Sequence, residues 1–202
     1  IAQLASQFER ADSFRLYELS VSLRPETVSG QIAELLYQLI LLLDRPDCHR
    51  PEKKHWFHWH LNNNYFLNIA ALKSLRLLTT QLLKQFGMSL SPTEICIKVS
   101  TTVTVEKGPE AEKDPYINMI SNTVQAMAAI IGGCNFLEVT PHNQGLQEQS
   151  AFSRRIARNV STILQDEVHL NKVSDPTAGS YFLENLTDKI SRESWKKFQE
   201  KL

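Results

Sequence analysis

Three histidines crowd one short aromatic segment, His55-Trp56-Phe57-His58-Trp59-His60. In an extended strand, alternation puts Trp56, His58 and His60 on one face. Two imidazoles so placed could begin a metal site, with a third ligand from elsewhere. No cysteine or carboxylate sits at a spacing that completes a zinc site, so the favoured reading is that these side chains fill the interior or the mouth of a barrel. Arg154, Arg155 and Arg158 fall in the first turns of an amphipathic segment, where cations near a helix N-terminus could contact a phosphate. The stripe Phe152, Ile156, Val160, Ile163 would point inward there, leaving the arginines at the solvent edge. Asp175-Pro176-Thr177-Ala178-Gly179-Ser180-Tyr181 resembles a ligand loop in composition, but its Asp-Pro and Ala-Gly-Ser steps are ordinary turn chemistry. Ser153 and His169 have no partner at a recognisable catalytic spacing, so a hydrolase triad is not supported.

The composition excludes several classes of partner. Lys+Arg and Asp+Glu number 22 each, so a net charge of zero leaves no electrostatic footprint for nucleic acid or an anionic membrane. No apolar run has membrane-spanning length, since Leu35–Leu43 is interrupted by Tyr37 and Gln38. There is no charged-then-apolar leader pattern, and Cys48, Cys96 and Cys134 are odd in number and widely spaced. They read as free thiols in a reducing compartment, so a cytoplasmic location is expected. The chain starts at Ile1 and not Met, which reads as a piece of a longer protein.

The elements that must position these residues alternate between strand and helix. Phe14–Val21 reads as a strand and Val28–Leu43 as a helix, with a Pro-containing loop over Arg45–Lys54. Trp56–Leu61 is a short aromatic strand, and Asn64–Phe86 a long helix ended by Gly87. Glu94–Thr101 alternates, with Ile95, Ile97 and Val99 on one face; Lys107–Lys113 is a charged loop. Asp114-Pro115 suits an N-cap and first turn, and that helix runs to Gly132-Gly133. Phe136–Thr140 is a fourth strand, followed by helices at about Ala151–Val168 and Glu184–Lys201. Four βα units in series argue for a parallel α/β sheet with right-handed crossovers. Either an open doubly wound sheet or part of a (β/α)8 barrel fits; a complete barrel takes about 250 residues. No strand ends in a Gly-rich phosphate loop, which weakens the nucleotide-binding open sheet.

Separate motifs then agree in order with one family. Asp114-Pro115-Tyr116-Ile117-Asn118-Met119 resembles an Asp-Pro-(aromatic)-x-Asn-Met helix start. Ala128-Ala129-Ile130-Ile131-Gly132-Gly133-Cys134 resembles an Ala-Ala-x-x-Gly-Gly-Ala helix end, and Asn64-Tyr65-Phe66-Leu67-Asn68-Ile69-Ala70 an Asn-(aromatic)-Phe-x-Glu-Ile-Ala helix. With Phe152-Ser153-Arg154-Arg155-Ile156-Ala157-Arg158-Asn159 and the Asp175–Glu184 turn, these are similar to the barrel domain of the methylmalonyl-CoA mutase family. The resemblance implies the C-terminal half of a (β/α)8 TIM barrel, strands five to eight, with residues 1–202 as a single partial domain. It implies a family that interconverts methylmalonyl-CoA and succinyl-CoA through adenosylcobalamin radicals. No Asp-x-His-x-x-Gly cobalamin motif occurs, so no cobalamin-binding domain is expected in this chain.

The same resemblance marks departures. Aligned through Glu34-Leu35-Leu36-Tyr37, the family's catalytic Tyr-His pair falls at Ser22 and Leu23, and only Glu26 matches the acidic position nearby. Asn64 matches the asparagine that, in catalytic subunits, helps hold the deoxyadenosyl group, but the glutamate four residues on is Asn68. An amide cannot reproduce a charged acceptor. Thr140-Pro141-His142-Asn143 stands where the catalytic subunit has Leu-His-Thr-Asn and the small subunit Leu-Pro-Phe-Asp, whose proline lines up with Pro141. The resemblance therefore implies a noncatalytic small-subunit-type chain. Glu26 and Asn64 are its family-matched cofactor positions, with no catalytic residue, no metal and no cofactor held by this chain itself. Its expected partner is a catalytic mutase subunit in a heterodimer, or the missing half-barrel, with self-association also open. The alternative is part of a chain that itself binds acyl-CoA and acts in the isomerisation. Bulky Trp56, His58 and His60 on the barrel axis would block the path a CoA chain threads.

Overall fold

The computed structural model describes residues 17–20, 27–44, 55–88, 91–103, 116–145 and 150–202. Four strands, β1 (Tyr17–Ser20), β2 (His55–His60), β3 (Cys96–Ser100) and β4 (Phe136–Glu138), form one sheet in the order β1-β2-β3-β4. Every neighbouring pair is parallel, with Trp56 opposite Cys96 and Lys98 opposite Phe136 setting the register. The helices are α1 (Val28–Leu43), α2 (Tyr65–Gln85), α3 (Ile117–Ile131), α4 (Ala151–Asp166) and α5 (Tyr181–Gln199). The fold is α/β, four strands alternating with helices as in four βα units of a partial barrel. Parallel neighbours require such crossovers, because a tight hairpin can only reverse the chain.

Periodicity explains which faces meet. Ile32, Leu35, Leu36, Leu39 and Leu43 of α1 recur at helical spacing and are all fully buried. They join Phe57 and Trp59 of β2, Leu61 just after it, Ile95 just before β3, and Ile97 and Val99 of β3 in one core. The other phase of β2, His58 and His60, therefore faces away from the helices. The α2 helix is capped by Asn64, whose side chain accepts from Leu67 N, and it ends at Gly87 with φ +72°. Where α3 ends, Gly132 lies so close to α2 that an added Cβ would sit 2.8 Å from Leu72 Cδ1.

The last helix does not continue the alternation. It folds back over the helical layer and packs across both α1 and α2. Small residues line that contact: Ser74 Oγ donates to Thr187 O at 3.1 Å, and Ser194 is fully buried. Lys201 and Glu34 pair at 2.5 Å, and Ser29 Oγ donates to Glu193 at 2.9 Å.

Several boundaries differ from the sequence reading. Helix α5 opens at Tyr181, three residues before Glu184, because Glu184 reaches back as an acceptor for Gly179 N at 2.9 Å. Strand β4 stops at Glu138, not Thr140. Thr140 bonds to Thr101 through side chains, its N–H donating to Thr101 Oγ1 (2.9 Å) and its hydroxyl to Thr101 O (2.6 Å), so the ladder ends early. Strand β3 begins after a 3-10 turn at Pro92–Glu94. The inward stripe of α4 is Ser153, Ala157, Val160 and Leu164, while Phe152 and Ile163 are about half exposed. Steps of four, three and four keep those buried residues on one line, whereas Phe152 and Ile163 sit beside it. The loops over Arg45–Lys54 and Lys107–Lys113, the Asp114-Pro115 cap, and Phe14–Leu16 and Val21 of the first strand reading lie outside the described residues, apart from the Asp44 cap that precedes the first loop.

Candidate functional site

In a parallel βα array, loops at the C-terminal ends of the strands carry the chemistry. Here that end is built from Leu61–Asn64 after β2, Thr101–Val103 after β3 and Val139–Asn143 after β4. Its centre is an amide pair. Asn62 N–H donates to Asn68 Oδ1 at 3.1 Å, and Asn68 Nδ2 donates to Asn62 O at 2.7 Å. Asn68 is 1% exposed. An amide offers a donor and an acceptor to the backbone of one residue at once; an ionised carboxylate would face the Asn62 carbonyl with no proton to give. The Asn68 position is therefore fitted to its amide.

Helix α3 supplies the rest of the network. Gln125 Oε1 accepts from Thr102 N at 2.8 Å, and Gln125 Nε2 donates to Thr102 O and Asn63 Oδ1, each at 3.0 Å. Asn122 Nδ2 donates to Thr140 O (2.7 Å) and Asn118 Nδ2 to His142 O (3.1 Å). Thr102 Oγ1 donates to Leu61 O at 2.6 Å, tying two loops directly. A small cavity of about 150 Å³ remains between Asn62, Asn68, Tyr65, Ser121 and Gln125. The sequence reading missed these amides, although Asn118, Asn122 and Gln125 recur at steps of four and three, the spacing of one buried helix face.

The face of the sheet turned away from the described helices holds the histidines. The His58 and His60 rings lie 4.4 Å apart, tilted by 38°, and His58 Nε2 lies 2.7 Å from Ser100 Oγ. Beside them Lys98 pairs with Glu138 at 2.9 Å. The hydrogen bond from Lys98 holds the Glu138 carboxyl below its usual range. An open hollow of about 470 Å³ lies over this row, lined by His58, His60, Ser100, Glu138, Thr140 and Gln144 among others. A serine and an imidazole in contact could act as nucleophile and base, and Glu138 also approaches the serine hydroxyl, at 3.4 Å. Among the described residues no three His, Cys, Asp or Glu side chains converge into a metal site. The side chains of His55 and Trp56 lie outside what is described.

The remaining sequence candidates are scattered over the chain. Glu26, with Ser22 and Leu23, lies outside the described residues. Asn64 stands at the C-terminal end of β2 as expected, with its side-chain oxygen engaged as the α2 cap at 3.1 Å. Arg154, Arg155 and Arg158 lie on α4, where Arg154, Arg155 and Arg158 face solvent and Arg155 lies over the Phe152 ring at 5.7 Å. Ser153 donates to the Ser150 carbonyl at 3.0 Å. The Asp175 turn is pinned to α2, with Lys73 Nζ 2.9 Å from both Asp175 carboxylate oxygens. Partial burial opposes ionisation there, but Lys73 and Thr177 prevail and the Asp175 carboxyl lies below its ordinary value.

At the opposite end of the sheet, Arg76 was not singled out by pattern. Its guanidinium donates to Ile95 O (2.9 Å), Pro92 O, Gly133 O (2.5 Å) and Asn135 Oδ1 (3.0 Å). One side chain thus gathers the starts of β3 and β4 and the end of α3. Cys134 nearby is a free thiol, pushed up to about 11 by burial. No helix among the described residues is long and apolar enough to cross a membrane.

The methylmalonyl-CoA mutase family model matches residues 50–201. The chain is 33% identical over 142 residues to a methylmalonyl-CoA mutase small subunit of Porphyromonas gingivalis, covering 70% of this chain and 23% of that protein. It is 35% identical over 144 residues to a methylmalonyl-CoA mutase small subunit of Streptomyces virginiae, covering 71% and 23%. A methylmalonyl-CoA mutase large subunit of Porphyromonas gingivalis is 30% identical over 139 residues, covering 69% and 19%. The chain thus spans less than a quarter of the length of these relatives.

Proposed function

This chain belongs to the methylmalonyl-CoA mutase family, and from that membership we propose that it is a noncatalytic, small-subunit-type half of the barrel. It forms the C-terminal half of the (β/α)8 domain, residues 1–202 being one partial domain without the cobalamin-binding part. Its role is to assemble with a catalytic mutase subunit and support the adenosylcobalamin-dependent interconversion of methylmalonyl-CoA and succinyl-CoA by that partner in the cytoplasm. The observation that carries this reading is the closed Asn62–Asn68 pair. At the position where the catalytic pattern has a glutamate, this chain has an amide spent on its own backbone.

Adenosylcobalamin is the cofactor of the family, and the residues here do not fit it. Asn68 is buried and paired at both ends, and the oxygen of Asn64 serves the helix cap. Neither presents the charged acceptor that the catalytic pattern supplies. Ser22 and Leu23 replace the Tyr-His pair in sequence. The two paired histidines and the Lys98–Glu138 ion pair over the face turned away from the described helices further support a barrel axis filled by side chains.

The test has two arms. The purified chain with adenosylcobalamin and methylmalonyl-CoA is expected to form no succinyl-CoA and to leave the cobalamin spectrum unchanged; either signal overturns the noncatalytic reading. Co-expressed with a catalytic mutase subunit from the same source, it is expected to co-elute in size-exclusion chromatography. Separate elution overturns the assembly role.

A further inference from the structure

The face that carries His58 and His60 also carries a serine within reach. Ser100 is the register partner of His60, and alternation puts it on the same side of β3 as Lys98. His58, the partner of Lys98, reaches diagonally, so that its Nε2 lies 2.7 Å from Ser100 Oγ. The ladder fixes the serine in place: Ser100 O accepts from Leu61 N, and Thr101 N donates to Glu138 O, each at 3.0 Å. With the imidazole proton on Nδ1, Nε2 accepts from the hydroxyl. Glu138 Oε2 is a farther acceptor, at 3.4 Å, so the imidazole is the nearer base.

The electrostatics favour the same assignment. Lys98 holds Glu138 ionised, and that carboxylate lies within electrostatic reach of His58. It therefore stabilises the imidazolium that forms when the serine proton moves to His58. Ser100 and His58 both line the open hollow of about 470 Å³, a size that takes a small organic molecule. Val103, Val139 and Pro141 give the hollow apolar walls, and His60 and Gln144 bring N–H groups to it. A nucleophile, a base beside it and donors around one hollow are the parts of an acyl-transfer site. Side chains that narrow the axis against a long ligand leave room here for a short one.

We propose that this hollow hydrolyses short-chain carboxylic esters, with Ser100 as the nucleophile and His58 as its base. Ser100 Oγ bonds to the ester carbonyl carbon as its proton passes to His58 Nε2. The oxyanion of the tetrahedral intermediate is met by the donors of His60 and Gln144. The intermediate collapses with cleavage of the ester C–O bond, and His58 gives its proton to the departing alkoxide. Water, deprotonated by His58, then releases the acyl group from Ser100 as a carboxylic acid and restores both side chains. The reaction does not depend on the small-subunit reading, since it uses none of the positions of the mutase pattern.

Hydrolysis of p-nitrophenyl acetate by the purified chain tests it, with Ser100→Ala, His58→Gln and His169→Asn alongside. His169 is exposed and outside the hollow, so His169→Asn measures what a surface imidazole does by itself. Expected are an unchanged rate in His169→Asn and a rate at least about tenfold lower in Ser100→Ala and in His58→Gln. Peptide mass spectra of the quenched reaction should place the acetyl group on Ser100. Circular dichroism matching the parent shows that the variants fold; where one does not, labelling of Ser100 in the parent by a fluorophosphonate decides instead. A parent no faster than Ser100→Ala, or than free imidazole at the same concentration, overturns the proposal. An acetyl group or fluorophosphonate label found only on other residues overturns it too, as does a His169→Asn rate as low as that of Ser100→Ala.

Discussion

The two ends of the sheet are closed by different chemistry. At the N-terminal ends of β3 and β4, one guanidinium collects four acceptors from three segments. At the C-terminal ends, neutral amides and hydroxyls divide the same task among Asn62, Asn68, Asn118, Asn122, Gln125 and Thr102. A βα array is expected to keep its structural chemistry at the first end and its reactive groups at the second. In this chain the second end is also spent on holding loops. Neutral amides can do that where charges could not, because a buried charge without a partner is far more costly than a buried amide with one. On the proposed reading, the end that would act on a ligand serves as scaffold.

The largest expected effect is at the charged end. Arg76→Met removes every donor of the clamp at once and takes that donor from the carbonyls of Pro92, Ile95 and Gly133 and from Asn135 Oδ1, which keeps Ile97 N. Hydrogen bonds from charged groups contribute about 1.5–3 kcal/mol each, and removing the group couples them, so a loss of about 3 kcal/mol in urea unfolding is expected. Arg76→Lys should recover little, since an ammonium cannot span the fork. A loss below about 1 kcal/mol would show that the clamp is not the main tie at this end.

At the amide end, Asn68→Asp should cost about 2 kcal/mol at neutral pH, the cost of setting a carboxylate against the Asn62 carbonyl. The sign with pH follows from burial. The introduced carboxyl would have a raised folded-state pKa, so the variant should regain stability as pH falls and lose it as pH rises through that value. Unfolding midpoints at several pH values check this. A variant as stable as the parent at neutral pH would mean the end tolerates charge, and the contrast between the ends would fail.

Gly132→Ala tests how tightly the charged end is packed. The added methyl would sit 2.8 Å from Leu72 Cδ1 and 3.1 Å from Leu72 Cβ. A loss of about 1–2 kcal/mol is expected, as for other overpacked contacts. No change would mean that α2 and α3 can separate there without consequence.

The smallest effect comes from the exposed carboxylates. Asp175 and Glu138 both lie below their ordinary values, held by Lys73 and Lys98. A lowered folded pKa gives stability that is complete above the ordinary carboxylate range and is lost as pH falls through the folded value. Both side chains are about half exposed or more, so solvent screens them. Lys73→Met should flatten the acid side of the stability profile by no more than about 0.5 kcal/mol. A larger change would make the Asp175 turn a structural tie comparable to Arg76.

Periodicity and propensity are local properties, and they determined much of this protein. The helix Val28–Leu43 falls where its apolar spacing puts it, and Gly87 ends α2 as its sequence position implies. The alternation that puts Ile95, Ile97 and Val99 on one face of β3, and His58 and His60 together on the outer face of β2, is also local. The family membership was legible in motifs such as Asn64–Ala70 and Ala128–Cys134 for the same reason. Partners distant in the chain could not be read that way. Arg76 meets residues as far on as Asn135, and Gln125 meets Asn63. No spacing rule connects such positions; only the stacking of successive βα units brings them together. Likewise the phase of α4 depends on the neighbour it packs against, so of its sequence stripe only Val160 stays on the buried line, with Ser153, Ala157 and Leu164. The sequence alone shows that Asn68 is not a glutamate. Only the tertiary structure shows why an amide fits there: its two hydrogen bonds go to the N–H and the carbonyl of one residue, six positions back and across a loop.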